Sequence, residues 1–255
     1  MILDAQHKFR LDHNGIQHDV YFDGEGPAVV LMHELPGMTP ACLAVAARIV
    51  QWGFKVYLPL FFGRPNEVIG PLGYAGVFFC VRHEFNLLTS NGDSPIAEWL
   101  RELCRRADKE SGQRGVGLIG MCLTGNIVLS VMLEPAVRVP VMCEPALPFG
   151  HADALGIPEM DINSAKGMAI KAPIMAYRFS TDKKCPAERF NTLRKEFGPN
   201  IHTCEIETGT QPFNIPHDAH SVLTGDYPEM DDPNHPVNHA FDEILSRFRT
   251  SLPRI

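Results

Sequence analysis

The sequence predicts an α/β fold: a mainly parallel sheet with helices on both faces, entered through an antiparallel hairpin. Three observations carry this expectation. Short apolar runs alternate with amphipathic stretches along the chain, the pattern of strands joined by helical crossovers. Near the start, Asn14-Gly15 separates two short alternating segments, as a two-residue hairpin turn does. Finally, Gly120-Met121-Cys122-Leu123-Thr124-Gly125 lies between an apolar run and a helical one, which suits a sharp strand–turn–helix junction.

The elements follow in order. Residues 8–11 and 18–22 form the hairpin, and Pro27 leads into an apolar strand over 28–32. Such a run, bounded by turn residues, suits a strand buried on both faces. A helix spans 40–51 and ends near Gly53, and 55–60 is the next strand. Ser94-Pro95 pairs a capping residue with proline and starts another helix. There Ile96, Trp99, Leu100, Leu103 and Ala107 share one face, while Arg101, Arg105 and Arg106 point elsewhere as a solvated face. A strand over 116–120 and a helix over 126–133 follow. Strands at 137–143, 173–179 and 201–207, with helices at 186–197 and 237–248, complete the series. The interval 148–171, rich in Gly, Pro and Ala, breaks the rhythm. It reads as a loop or lid near the C-terminal ends of the strands, where open α/β sheets place their sites.

A length of 255 residues suits one domain, and 45% hydrophobic with 21% charged residues is ordinary for a globular protein. The formal charge of −7 argues against nucleic acid as a partner. No Lys or Arg occurs between Glu196 and Ser246, so that stretch cannot grip an anion with cations of its own. No apolar run approaches the roughly 20 residues of a membrane span, and the polar opening segment does not read as a signal peptide. The 7 cysteines include no Cys-x-x-Cys pair. Free thiols in a reducing cytoplasm are expected, with no metal and no cofactor. A monomer or small homo-oligomer acting on a small molecule fits this composition.

Three residues carry the expected chemistry. Cys122 sits where a nucleophile elbow would lift it above the sheet, and the helix behind it offers N–H groups to a thiolate or oxyanion. The alternative is a buried cysteine in a tight turn. Asp182 follows an apolar strand, and His220 lies in a loop beyond the last strand. Asp182 also suits a turn or helix cap, and His217 competes with His220 for the role of base. The His217-x-x-His220 spacing raises a metal, yet no third ligand is placed by sequence. The order nucleophile, acid, histidine is that of the α/β-hydrolase fold. In that reading Asp182 orients His220, which accepts and returns the proton of Cys122. The N–H groups of Leu123 and Leu35 would form the oxyanion hole, and Pro36 cannot contribute because it lacks an N–H.

Glu34-Leu35-Pro36-Gly37, Gly120-Met121-Cys122-Leu123, Asp182 and His220-Ser221 together resemble the dienelactone hydrolases (carboxymethylenebutenolidases) over about residues 28–223. The resemblance implies a triad of Cys122, Asp182 and His220. It also implies that Glu34 contacts the resting thiol and helps to form thiolate when substrate arrives. Cyclic enol-lactones hydrolysed without cofactor or metal are the implied substrates. The chain departs from the family at Thr224, where bacterial members carry an arginine that grips the substrate carboxylate. Its span from Cys122 to Asp182 is also longer than usual. An anionic substrate would then depend on Arg82 or Arg64. Thioesterase or general carboxylesterase activity uses the same machinery, and a silent ligand-binding or redox-sensing protein is the reading from another class.

Overall fold

A computed structural model describes residues 7–70, 73, 94–147 and 151–253. Its elements run β1 (Lys8–His13), β2 (Ile16–Asp23), β3 (Ala28–Met32), α1 (Pro40–Gln51), β4 (Lys55–Leu60), α2 (Pro95–Glu110), β5 (Val116–Met121) and α3 (Leu123–Val131). There follow β6 (Val137–Cys143), α4 (Glu159–Ala169), β7 (Ile174–Phe179), α5 (Ala187–Phe197), β8 (Ile201–Ile206) and α6 (Pro236–Ser251).

The strands form one eight-stranded sheet in the order β1-β2-β4-β3-β5-β6-β7-β8. β1 and β2 pair antiparallel, as do β2 and β4, and every other neighbour is parallel. Asn14 and Gly15 have φ of 53° and 81°, the paired positive values of a type I′ hairpin. The chain steps outward from β3 to β4, then returns to β5 on the other side of β3. The reversal opens a crevice between the C-terminal ends of β3 and β5, the usual ligand position in such sheets.

Strand pleat divides the core into two layers. Val29 and Leu31 pack with α1 and α6, whereas Val30 and Met32 pack with α2 and α3. In α2 the expected apolar face is buried, with Trp99 and Leu103 fully inside. The expected solvated arginine face is instead a set of ties. Arg101 donates to the Ser130 carbonyl on α3 at 2.8 and 3.0 Å, and Arg105 pairs with Glu98, Glu102 and Glu134. Arg106 stacks over Phe9, 3.6 Å from the ring centre.

Two further expectations are corrected. The helix expected over 126–133 begins at Leu123, directly after Cys122. All nine of its residues are buried, so it has no polar face to give a helical period. The interval 148–171, read as a loop or lid, contains α4, with Ala165 and Ala169 fully buried in the core. α4 is a crossover helix between β6 and β7, tied to α5 by the pair Lys166–Glu196. Among the described residues no helix is long and apolar enough to cross a membrane.

Candidate active site

Cys122 stands at the β5–α3 junction with φ 51° and ψ −115°. A non-glycine residue is strained there and needs surroundings that hold it. Its N–H donates to Cys143 O at 3.0 Å, and its carbonyl accepts from the Gly125 and Ala146 amides, both at 3.0 Å. Close approach requires glycine on either side. A Cβ on Gly120 would lie 2.4 Å from the Thr124 carbonyl oxygen, and one on Gly125 would lie 2.9 Å from that of Cys143. Thr124, in place of a second elbow glycine, staples the turn. Its hydroxyl accepts from the Met121 N–H at 2.9 Å and lies 3.2 Å from the Met32 carbonyl on β3.

Asp182 follows β7 and His220 lies in the long segment between β8 and α6. They meet through His220 Nδ1 and Asp182 Oδ2 at 2.7 Å, with side-chain exposures of only 9% and 2%. The other Asp182 oxygen accepts from the Lys184 amide at 2.8 Å. Buried Arg178 holds the same turn by donating to the carbonyls of Cys185 and Ser180 at 2.8 and 3.0 Å. Burial pushes the Asp182 carboxyl up. The His220 hydrogen bond and charge, with the Lys184 and Cys185 amides, outweigh it and hold the group below the ordinary carboxylate range. Asp182 is thus the ionised partner that fixes Nδ1 as donor, leaving Nε2 as acceptor. That Nε2 is buried and has no hydrogen-bond partner among the described residues.

Glu34 follows β3 and is buried, with Ser221 Oγ donating to one oxygen at 2.9 Å and Thr224 Oγ1 donating to the other. A carboxylate oxygen of Glu34, the Cys122 sulfur and a ring nitrogen of His220 all lie within 4.8 Å of one another. Burial raises the Glu34 pKa against those two hydrogen bonds and the His220 and Lys184 charges. Burial also pushes the Cys122 thiol well up, helped by Glu34 and Glu144 and opposed by the Leu123 amide and Lys184. Both directions favour the protonated forms, a Cys122 thiol with the Glu34 carboxyl beside it.

Sequence reasoning missed Glu144 altogether. It follows β6 at φ 35°, fully buried, and one carboxyl oxygen accepts from the Val222 N–H at 2.9 Å. The other oxygen has no partner among the described residues. Burial, then the neighbouring Glu34 and Asp182, push its pKa well above the usual range. As a neutral acid it latches the histidine loop to the end of β6. Its position at the end of a buried strand, like that of Asp182, was the available signal.

His33 anchors the turn that carries Glu34. Its Nδ1 lies 3.1 Å from Glu34 O, and its Nε2 accepts from the Phe61 N–H at 3.1 Å. Burial, partly offset by the Glu34 carbonyl and aided by His18, pushes its pKa from 6.5 down to about 4. The neutral ring stabilises the fold fully above the unfolded value. As pH falls from 6.5 towards 4 the unfolded chain takes the proton first, so that stability is lost. Urea unfolding at about pH 7 and about pH 4.5 should differ by about 2 kcal/mol from this group. NMR titration of the His33 ring would contradict the assignment if its midpoint lay near the unperturbed value.

The remaining candidates are placed as follows. Leu123 opens α3 with its N–H turned towards the Cys122 thiol. Leu35 is half-buried beside Glu34. Thr224 faces Glu34 and serves as its donor, a different task from gripping a substrate. Arg64 is a surface residue, its side chain 82% exposed and 4.0 Å from Glu67. Arg82 lies outside the described residues. His217 is exposed and lines a surface hollow of about 450 Å³ with Lys183, Lys184 and Asp218. The His217-x-x-His220 pair is thus not a shared donor set, and the nearby ligand types at His220 are Glu34 and Cys122.

Comparisons with known proteins bear on the family and the fold. A family model described as the dienelactone hydrolase family matches residues 19–208. No curated protein matches the chain. Among solved structures, a protein of Klebsiella pneumoniae subsp. pneumoniae MGH 78578, assigned as a dienelactone hydrolase, is 15% identical with a TM-score of 0.64, covering 96% of each chain. A dienelactone hydrolase-like promiscuous phosphotriesterase from metagenomic libraries is 13% identical with a TM-score of 0.62, covering 96% of this chain and 98% of its own. The thioesterase domain from the curacin biosynthetic pathway is 11% identical with a TM-score of 0.53, covering 96% of this chain and 99% of its own. At these identities the likeness is one of α/β-hydrolase fold.

Proposed function

The chain belongs to the dienelactone hydrolase family and is a carboxylic ester hydrolase; we propose that it opens a small lactone or ester through an acyl-enzyme on Cys122. The supporting observation is the buried Asp182–His220 pair at 2.7 Å, whose Nε2 has no partner among the described residues and whose ring has a nitrogen in one cluster with the Cys122 sulfur. Nε2 takes the thiol proton as sulfur attacks the carbonyl carbon, and the imidazolium is stabilised by Asp182. The carbonyl oxygen becomes an oxyanion facing the N–H groups of Leu123 and Leu35. Collapse breaks the bond to the ring or ester oxygen, which leaves with the proton from His220. In a lactone that alcohol stays attached to the acyl group. His220 then removes a proton from water, hydroxide attacks the thioester, and the carboxylic acid departs with the thiol restored. Glu34 fits the part of the residue that contacts the resting thiol, its oxygen lying within 4.8 Å of the Cys122 sulfur.

A redox-sensing role is disfavoured, because such cysteines are low-pKa thiolates and burial and nearby acids push Cys122 the other way. The six described cysteines are all free, which supports the reducing cytoplasm as the setting. A small-molecule substrate, no cofactor and no nucleic-acid or membrane partner remain the proposal.

Substrate charge follows from the wall around the thiol. Asp182 is ionised there, while burial holds Glu34 and Glu144 towards their neutral forms, and Thr224 replaces one of the family's cations. A charge-assisted contact missing from a desolvated site costs about 1.5–3 kcal/mol, or roughly 10- to 150-fold in binding. Neutral lactones and esters should therefore be preferred. A panel of enol-lactones, aryl esters and thioesters, including one lactone as free acid and as methyl ester, tests both the reaction and this preference. The methyl ester should have the higher kcat/KM by about 10-fold or more. A strong preference for the acid, removed by Arg82→Ala, is the contrary result.

A further inference from the structure

We propose that Cys122, His220 and Glu34 also form a reversible inhibitory site for zinc. Three donors from three different elements converge there: a sulfur, a ring nitrogen and a carboxylate oxygen within 4.8 Å of one another. Thiolate, imidazole and carboxylate are the ligand types that zinc takes, and three protein ligands with an open fourth position make a familiar zinc shell. Partly exposed Cys122 leaves that fourth position to water.

The second, independent observation is the state of His220. Its Nδ1 is committed to Asp182 at 2.7 Å, while the buried Nε2 has no partner among the described residues. A carboxylate behind a histidine fixes the tautomer and strengthens the other nitrogen as a metal donor. The arrangement that makes His220 a base for a thiol thus also makes it a ligand. Ser221 and Thr224 hold Glu34 in the same way. The charge also balances. Zinc carries two positive charges, and thiolate plus carboxylate carry two negative ones, with the thiol proton and any on Glu34 released to solvent. Asp182, ionised behind His220, adds a negative charge that favours a cation, and Lys184 is the opposing positive charge.

The ion would occupy both the nucleophile and the base, so bound protein cannot turn over. That consequence rests on the proposed hydrolase reading, whereas the binding itself does not. The test uses the purified full chain, with zinc affinity measured against a chromophoric chelator and cobalt(II) as the spectroscopic probe. One ion per chain is expected, with a thiolate-to-cobalt charge-transfer band and d–d bands of four-coordinate strength. Cys122→Ser and His220→Asn should weaken zinc at least about 100-fold, Glu34→Gln about 10-fold, and His217→Asn not at all. Binding that lacks the thiolate band, or that survives Cys122→Ser unchanged, overturns the proposal, as does no binding at micromolar zinc. If Cys122→Ala still hydrolyses esters, the reading of an acyl-enzyme on Cys122 fails while the cobalt band of the unaltered protein still reports the site. If Cys122→Ala is inactive and the band is absent, the zinc site alone fails.

Discussion

Cys122→Ala should abolish turnover while leaving the fold intact. Loss of a covalent nucleophile removes the acyl-enzyme route altogether, and a fall in kcat of about 10⁴-fold or more is expected. The fold should survive because alanine meets the same backbone restriction at φ 51° as cysteine does. The turn is held by main-chain bonds to Cys143, Gly125 and Ala146 rather than by the sulfur. The measurement is kcat/KM on a chromogenic ester, in a preparation free of other esterases, alongside the thermal midpoint. Substantial hydrolysis with an unchanged midpoint would remove Cys122 from the mechanism. Cys122→Ser should retain little activity, because the site does not supply the base strength that an alcohol requires.

Replacing His220 should cost far more than replacing His217. His220→Asn removes the proton acceptor beside Cys122 and leaves Asp182 buried without its partner, and a loss of about 10³-fold or more in kcat is expected. His217 is exposed, with Nδ1 3.4 Å from Thr208 Oγ1, and His217→Asn should stay within about 3-fold. Paired rate measurements at one pH decide the matter. The reverse order would move the base to His217.

Much of this was legible in the chain because burial writes itself into sequence as runs and periods. The strands at β3, β5 and β6 are near-continuous apolar runs, and α2 shows a clean stripe. The elbow is legible for another reason: only small residues at Gly120 and Gly125 let the first turn of α3 close on β5 and β6. What failed to show is equally physical. α3 is buried all round and lacks a polar face to time its start. α4 is small-residue and mixed, so Ala165 and Ala169 read as loop composition until packing is seen. Glu144 is one acid among 30 Asp and Glu residues, and nothing local marks its raised pKa, since that follows from burial first and then from Glu34 and Asp182 closing in from other elements. The hydroxyl clamp on Glu34 was hidden too, because Ser221 and Thr224 are 187 and 190 residues away in sequence.

The segment between β8 and α6 carries His220 yet contains neither helix nor strand. It keeps its shape through a handful of cross-ties: Val222 to Glu144, Ser221 and Thr224 to Glu34, Tyr227 to the Ser221 carbonyl, and Thr181 to the His217 carbonyl. Every tie from Ser221, Val222 and Thr224 ends on an acid of the active site. Order in this segment and assembly of the site therefore depend on the same ties, beside the packing of Ile215, Ala219, Val222 and Leu223 into the core. Such a segment can open at lower free energy than the core strands. The protein then has two melting events in principle, a local one that silences chemistry and a global one that unfolds the chain. Heat, denaturant or substitution would reach the first before the second, so retained secondary structure is no guarantee of a working enzyme.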